Sequence, residues 1–259
     1  MAGDLTLDIT LQYRVSADTF FWLREPCDGG VVDELRQEIA KIYSELPRWA
    51  NVVLAPVVAG GPGLLLPEDV AGIPLRSAAG KLASLLAEAP PVPAERRALV
   101  EEAISDLDPI ELGEATEWVA WRLGLAFPTD TRMVIEVSVV AAGIALGGVT
   151  GERDERPACF VAVEAYDGSA LGSSMLAELI IHEATHAVDM LCPSPTSLVH
   201  RLREEPGASP QLWHATFFLY AAEAVRRRID PGHRDYGETH GYNGRSPAVM
   251  ATLAARGIL

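Results

Sequence analysis

Residues 180–189 read Ile-Ile-His-Glu-Ala-Thr-His-Ala-Val-Asp, and this stretch decides how the rest of the chain is read. On a helix, His182 and His186 are four residues apart, so their rings leave one face one turn apart. Two neutral imidazoles so placed can hold one tetrahedral zinc ion, with Glu183 beside them as general base for an attacking water. The flanks Leu179, Ile180, Ile181, Ala184, Ala187 and Val188 are apolar, which predicts a buried helix. Buried polar groups cost free energy unless they are partnered, so two histidines and a glutamate there need a chemical reason.

Outward from this string, Ser173 or Ser174 is expected to cap a helix from about Met175 to Leu191, stopped by Cys192-Pro193. Upstream, Arg132–Ala141 and Pro157–Ala165 are rich in Val, Ile and Phe and read as strands. The Gly147-Gly148 pair and the charged run Gly151–Arg156 between them read as an exposed turn. Downstream, Pro193–Pro210 reads as a connector with a possible helical turn at Leu198–Arg203. A strong helix follows over Pro210–Ile229, then a loop-like tail and a short helix over Pro247–Arg256. The front opens with a period-two strand (Leu5, Leu7, Ile9, Leu11, Tyr13, Val15) and a helix over Val31–Leu46. Val52–Val58 reads as a strand and Leu75–Ala89 as a helix. Helical sequence then runs from Ala94 to about Leu125, broken near Asp108-Pro109. The predicted class is α+β, in two parts: an acidic, helix-rich front over 1–128 and a metal-binding catalytic part over 129–259.

The string HEATH matches the HExxH of the zincin metallopeptidases, and the strand PACFVAVEAY resembles the edge strand that precedes their active-site helix. The resemblance spans about residues 130–245. It implies a zincin-like fold in which a small mixed sheet, its edge strand able to bind extended peptide, packs on the HExxH helix. It also implies zinc held by His182, His186 and a third downstream ligand. The metzincin extension is absent, because AVDMLC follows His186. Glu223, 37 residues after His186, is the gluzincin-type candidate. His214 is the alternative, since HATFF resembles the HGxxF that supplies the third histidine in SprT-like proteases, without its glycine. Nine residues is about two and a half helical turns, so His214 and Glu223 face opposite ways and only one can reach the metal. His214 is preferred because it opens its helix beside Trp213; His200 is a third choice. Glu223 would then be a buried partner for Arg226 or Arg227.

Asp189 lies on the metal-binding face, either to orient a ligand histidine or as a surface aspartate. In the tail, His233, Tyr236, His240 and Tyr242 are candidate donors to an oxyanion, and Arg245 a candidate for a substrate carboxylate.

Charge narrows the partners. Net charge is −15, and residues 1–130 account for −11 of it, which opposes binding to a phosphate backbone. Nucleic acid is therefore not expected. Nor is a membrane: the most apolar stretch, Met133–Val149, is broken by Glu136 and Ser138 and falls short of the roughly 20 apolar residues a span needs. The opening MAGDLTLDITLQYR has neither the basic nor the apolar region of a leader, so no secretion signal is expected. Three scattered cysteines, Cys27, Cys159 and Cys192, fit a reducing cytoplasm better than a disulfide framework. The expected function is a zinc-dependent hydrolase, most simply a metallopeptidase acting on peptide or small amide bonds. The alternative is a non-catalytic zinc-binding protein that keeps the fold for structure or partner binding.

Overall fold

The computed structural model describes residues 7–24, 31–60, 65–125, 132–141, 148–153, 156–164, 169–206, 209–241 and 246–258. Among them are four strands and eleven helices, an α+β composition. In chain order they are β1 (Leu7–Tyr13), α1 (Val15–Trp22), α2 (Val31–Ser44), α3 (Ala50–Ala59), α4 (Leu75–Ala87), α5 (Ala94–Ser105) and α6 (Pro109–Leu123). There follow β2 (Met133–Val140), β3 (Gly148–Arg153), β4 (Arg156–Ala162), α7 (Ser173–Leu191), α8 (Leu198–Glu204), α9 (Pro210–Arg228), α10 (Tyr236–Thr239) and α11 (Pro247–Ala255). No described helix is long and apolar enough to cross a membrane.

The strands form one mixed sheet in the order β1-β2-β4-β3. Strands β2 and β4 run parallel, with Val137 opposite Cys159 and Val139 opposite Val161. Strands β3 and β4 run antiparallel, with Gly148 opposite Val161 and Glu152 opposite Pro157. This corrects two expectations. The glycine and charge-rich run after Gly147 was expected to be a turn, yet its first part is strand β3. The stretch expected at the sheet's edge, β4, is internal, flanked by β2 and β3.

The chain divides into two compact units, each assembled from separate stretches. A single cut at residue 128 does not separate them. One unit comprises Leu11–Asp106 and Glu136–Ala170. Its core gathers Phe20, Phe21, Ile39, Leu54, Leu75, Leu82 and Phe160, all nearly inaccessible to solvent. Inside it Asp18 is fully buried and fully used: its carboxylate accepts from Arg96, Tyr13 and the Ala141 backbone N–H. Burial and the neighbouring Asp18 charge push the Tyr13 phenol up to about 12.

Helix α3 occupies the place where Val52–Val58 was expected to be a strand. Its residues are buried nearly all round, so packing rather than the β-preference of valine decides the conformation, and Pro56 is accommodated within it. Gly151 on β3 makes the close approach of α3 possible. A Cβ there would lie 2.0 Å from the Val52 carbonyl oxygen and 2.5 Å from Pro56 Cγ. Gly151→Ala should therefore cost about 3 kcal/mol, the upper end of overpacking penalties, because a backbone atom must move. Urea unfolding would read this as a lower midpoint; an unchanged midpoint would contradict the α3–β3 packing.

The other unit comprises Met1–Thr10, Leu107–Ile135 and Leu171–Leu259. Helices α6, α7 and α9 pack on one another here. Helix α6 starts at Pro109 with the Asp108 side chain accepting from Ile110 N–H at 2.8 Å, and ends on Gly124 in the left-handed region. Ser209 caps α9 ahead of Pro210 in the same manner. Helices α8 and α11 close over the start of α9 through Leu202, Leu212, Ala215, Val249 and Leu253. The expected serine cap of α7 is absent: the helix begins after Gly172 with no side-chain cap, and Ser173 and Ser174 are its first residues.

Candidate metal centre

Two helices build the site. Helix α7 carries His182, Glu183 and His186, and its apolar flanks bury it as the sequence predicts. Helix α9 brings His214 to the same point through its opening Leu-Trp-His-Ala-Thr-Phe-Phe. On that helix His214 and Phe218 share one stripe, and Trp213 and Phe217 the next.

The three histidine side chains converge through their Nε2 atoms. His182 Nε2 lies 3.1 Å from His186 Nε2 and 3.1 Å from His214 Nε2. A tetrahedral ion with metal–nitrogen bonds of about 2.0–2.1 Å holds its donors about 3.3–3.4 Å apart. The cluster is thus close to the spacing of three nitrogens on one metal, and these residues could hold such an ion. A glutamate oxygen, Glu183 Oε1, sits 4.0 Å from His182 Nε2, on a side chain that is almost wholly buried.

Aromatic rings fix the imidazoles in place. Phe218 stacks on His182 with ring centroids 3.7 Å apart, and Phe217 meets His186 edge-on at 4.3 Å. Trp213 lies edge-on to His186 at 5.8 Å. This apolar wall also sets protonation. Burial, and then the neighbouring histidines, hold His182 well below the ordinary histidine pKa. Burial holds His186 well below it too, helped by His214 and Arg203. Burial and the Arg203 charge bring His214 down to about 4. Each of these shifts favours the neutral ring, the form in which imidazole binds metal.

Glu223 takes no part in the cluster. It is half-exposed, not buried, and its carboxylate accepts from Arg227 at 2.7 Å and Arg226 at 3.3 Å. The half-turn offset along α9 that separates it from His214 is the physical reason. His200 is exposed on α8 and also lies outside the cluster.

Asp189 follows neither expected role. It is buried and pairs at 2.7 Å with Arg203, whose guanidinium lies 4.1 Å from the Trp213 ring centroid. Arg203 thereby brings a positive charge to the rim of the histidine cluster, an arrangement that sequence spacing does not announce.

In the tail, His233 is buried and committed: its Nε2 meets Glu178 Oε2 at 2.7 Å and its Nδ1 meets Ser174 Oγ at 3.3 Å. The Tyr236 backbone N–H donates to the same Glu178 oxygen at 2.8 Å. Burial pushes the Glu178 carboxyl pKa up, opposed by these two bonds. The Tyr236 ring stacks over Phe218 at 6.1 Å, and His240 lies 4.7 Å from Tyr236, so a ladder of rings leads from His182 into the tail. Tyr242 and Arg245 lie outside the described residues. Glu178 was not singled out from sequence. Its signal was present all the same: a lone acid in the apolar run MLAELII, one turn before His182.

Comparison with protein-family models, with curated proteins and with solved structures finds no match.

Proposed function

We propose that the chain is a zinc-dependent hydrolase of the zincin type, cleaving peptide or small amide bonds. The observation that carries this reading is the convergence of three histidine Nε2 atoms beside the buried Glu183 carboxylate. His182, His186 and His214 would hold the ion through these nitrogens. Three protein nitrogens leave a tetrahedral ion one open position, as catalytic sites require and closed structural sites do not. Bound zinc supplies a Lewis acid that polarises a carbonyl and brings the pKa of a water to about 7. Glu183 takes a proton from the attacking water as the new C–O bond forms. It then returns that proton to the amine nitrogen as the C–N bond breaks. Phe217, Phe218 and Trp213 keep the ligand rings oriented and exclude bulk water from their flanks.

The zincin assignment rests on this site rather than on the sheet, since the strand thought to resemble the edge strand is internal. A reducing, cytoplasmic setting is part of the same proposal, supported by the small number and wide scatter of the cysteines in the sequence.

Elemental analysis of protein purified without added metal tests the reading, with one zinc per chain as the expected result. Metal-free protein that also fails to take up zinc would overturn it, and a different stoichiometric metal would replace zinc in it. One zinc per chain with no hydrolysis across a panel of peptides and small amides would favour a non-catalytic zinc protein.

A further inference from the structure

The histidine cluster is not evenly enclosed. His182 is buried, whereas His186 and His214 are only half-buried, as is Trp213 beside them. The cluster therefore meets solvent on its His186 and His214 side. Arg203 stands on that side. Its guanidinium carbon lies 4.1 Å from the Trp213 ring centroid, and the same ring lies 5.8 Å from the His186 ring and 5.3 Å from the His214 ring. After burial, the Arg203 charge is among the causes that lower both His186 and His214, so its field is felt at the cluster itself.

The guanidinium is held in place yet keeps donors to spare. Its Nη1 meets Asp189 Oδ2 at 2.7 Å, on an aspartate one turn after His186 along α7. Trp213 covers one of its faces. The N–H donors of a guanidinium lie in its plane, so stacking on a face leaves its edges open to acceptors. Among the described residues no acceptor other than Asp189 meets Arg203, and 37% of its side chain remains exposed. An arginine fixed in this way can take a carboxylate with little further loss of freedom.

We propose that Arg203 binds a carboxylate of the substrate, so that the protein acts on amides carrying a carboxylate near the bond to be cleaved. The inference rests on the zinc-hydrolase reading above and deepens it by naming the substrate class. Arg203 is on this account a specificity-determining residue with no part in proton transfer. The sequence offered Arg245 for the task, but Arg203 is the arginine that the structure brings to the cluster.

The cobalt(II)-loaded protein allows a test without a known substrate. The probes are 3-mercaptopropionate and 3-mercaptopropionamide, which offer the same thiolate to the metal's open position and differ only in the carboxylate. Their binding is followed by the sulfur-to-cobalt absorption band. Wild type should bind the carboxylate probe about tenfold or more tightly than the amide, as a charge-assisted hydrogen bond provides. Arg203→Met combined with Asp189→Asn, which leaves no carboxylate unpaired, should lose most of this preference and bind the amide as wild type does. Arg203→Lys, which keeps a cation against Asp189 without the planar fork, should fall between them. Equal binding of the two probes by wild type would overturn the proposal. So would a preference that survives in the double variant or is undiminished in Arg203→Lys, because it would then come from the metal's own charge. A protein that takes up no cobalt, or that takes it up and responds to neither thiol, overturns the zinc-hydrolase reading and this inference with it.

Discussion

His214→Ala is expected to surrender its metal to a chelator that leaves the wild-type protein loaded, while Glu223→Ala keeps it. Nine residues along a regular helix rotate a side chain to the opposite face, so α9 can present only one of the two to α7. The structure places His214 Nε2 3.1 Å from His182 Nε2 and turns Glu223 onto Arg226 and Arg227. Loss of a direct ligand should exceed the roughly 10–100-fold loss seen when only an orienting partner is removed. His186→Ala should behave as His214→Ala does, since it removes a nitrogen from the same set. The Glu223 variant should differ little from wild type in stability as well. Its ion pairs are half-exposed, and exposed pairs contribute about 0–1 kcal/mol. Zinc lost from Glu223→Ala but retained by His214→Ala would reverse the assignment and make the glutamate the ligand.

The site was legible in the sequence wherever a short periodicity carried it. The four-residue spacing of His182 and His186 fixes a common face on any helix. The run Trp213-His214-Ala215-Thr216-Phe217-Phe218 shows a histidine among large aromatics at the start of a helix, which is what a buried ligand needs. The α7 and α9 boundaries came out within two residues because Pro193, Ser209 and Pro210 punctuate them. The failures share another cause: the deciding interaction was distant in sequence. Helix α3 has the valines of a strand, but it is enclosed on nearly every side and must satisfy its backbone internally. Strand β3 looks like a turn because Gly148 and Gly151 break its pattern, yet Gly151 is there to admit the α3 backbone. The Asp189–Arg203 pair joins α7 to α8, and the Glu178–His233 pair joins α7 to a residue 55 positions on. Neither pairing follows from local spacing. The charge break near residue 128 marked a change in composition, whereas the compact units interleave across it.

If the proposed hydrolase reading holds, Glu183→Gln should keep both fold and zinc and lose nearly all turnover on whatever amide the protein is found to cleave. The side chains are nearly isosteric, so the buried packing at this position of α7 is preserved. The three ring nitrogens proposed to bind the metal are untouched by the change. What disappears is the ability to accept a proton. In the proposed mechanism the Glu183 carboxylate, 4.0 Å from His182 Nε2, takes a proton from the attacking water and hands it to the departing amine. A carboxamide can do neither. General base and general acid assistance typically contributes about 10²–10⁴-fold to rate, and the proposed mechanism passes both transfers through this one residue. The loss should fall on kcat, with KM little changed, because the proton moves only as the transition state is approached. Zinc content and unfolding midpoint measured on the same preparation separate this outcome from misfolding or metal loss. Full activity in a zinc-loaded Glu183→Gln protein would remove Glu183 from the mechanism and require another base near the histidines. A loss of zinc along with activity would instead make Glu183 part of the metal's own support.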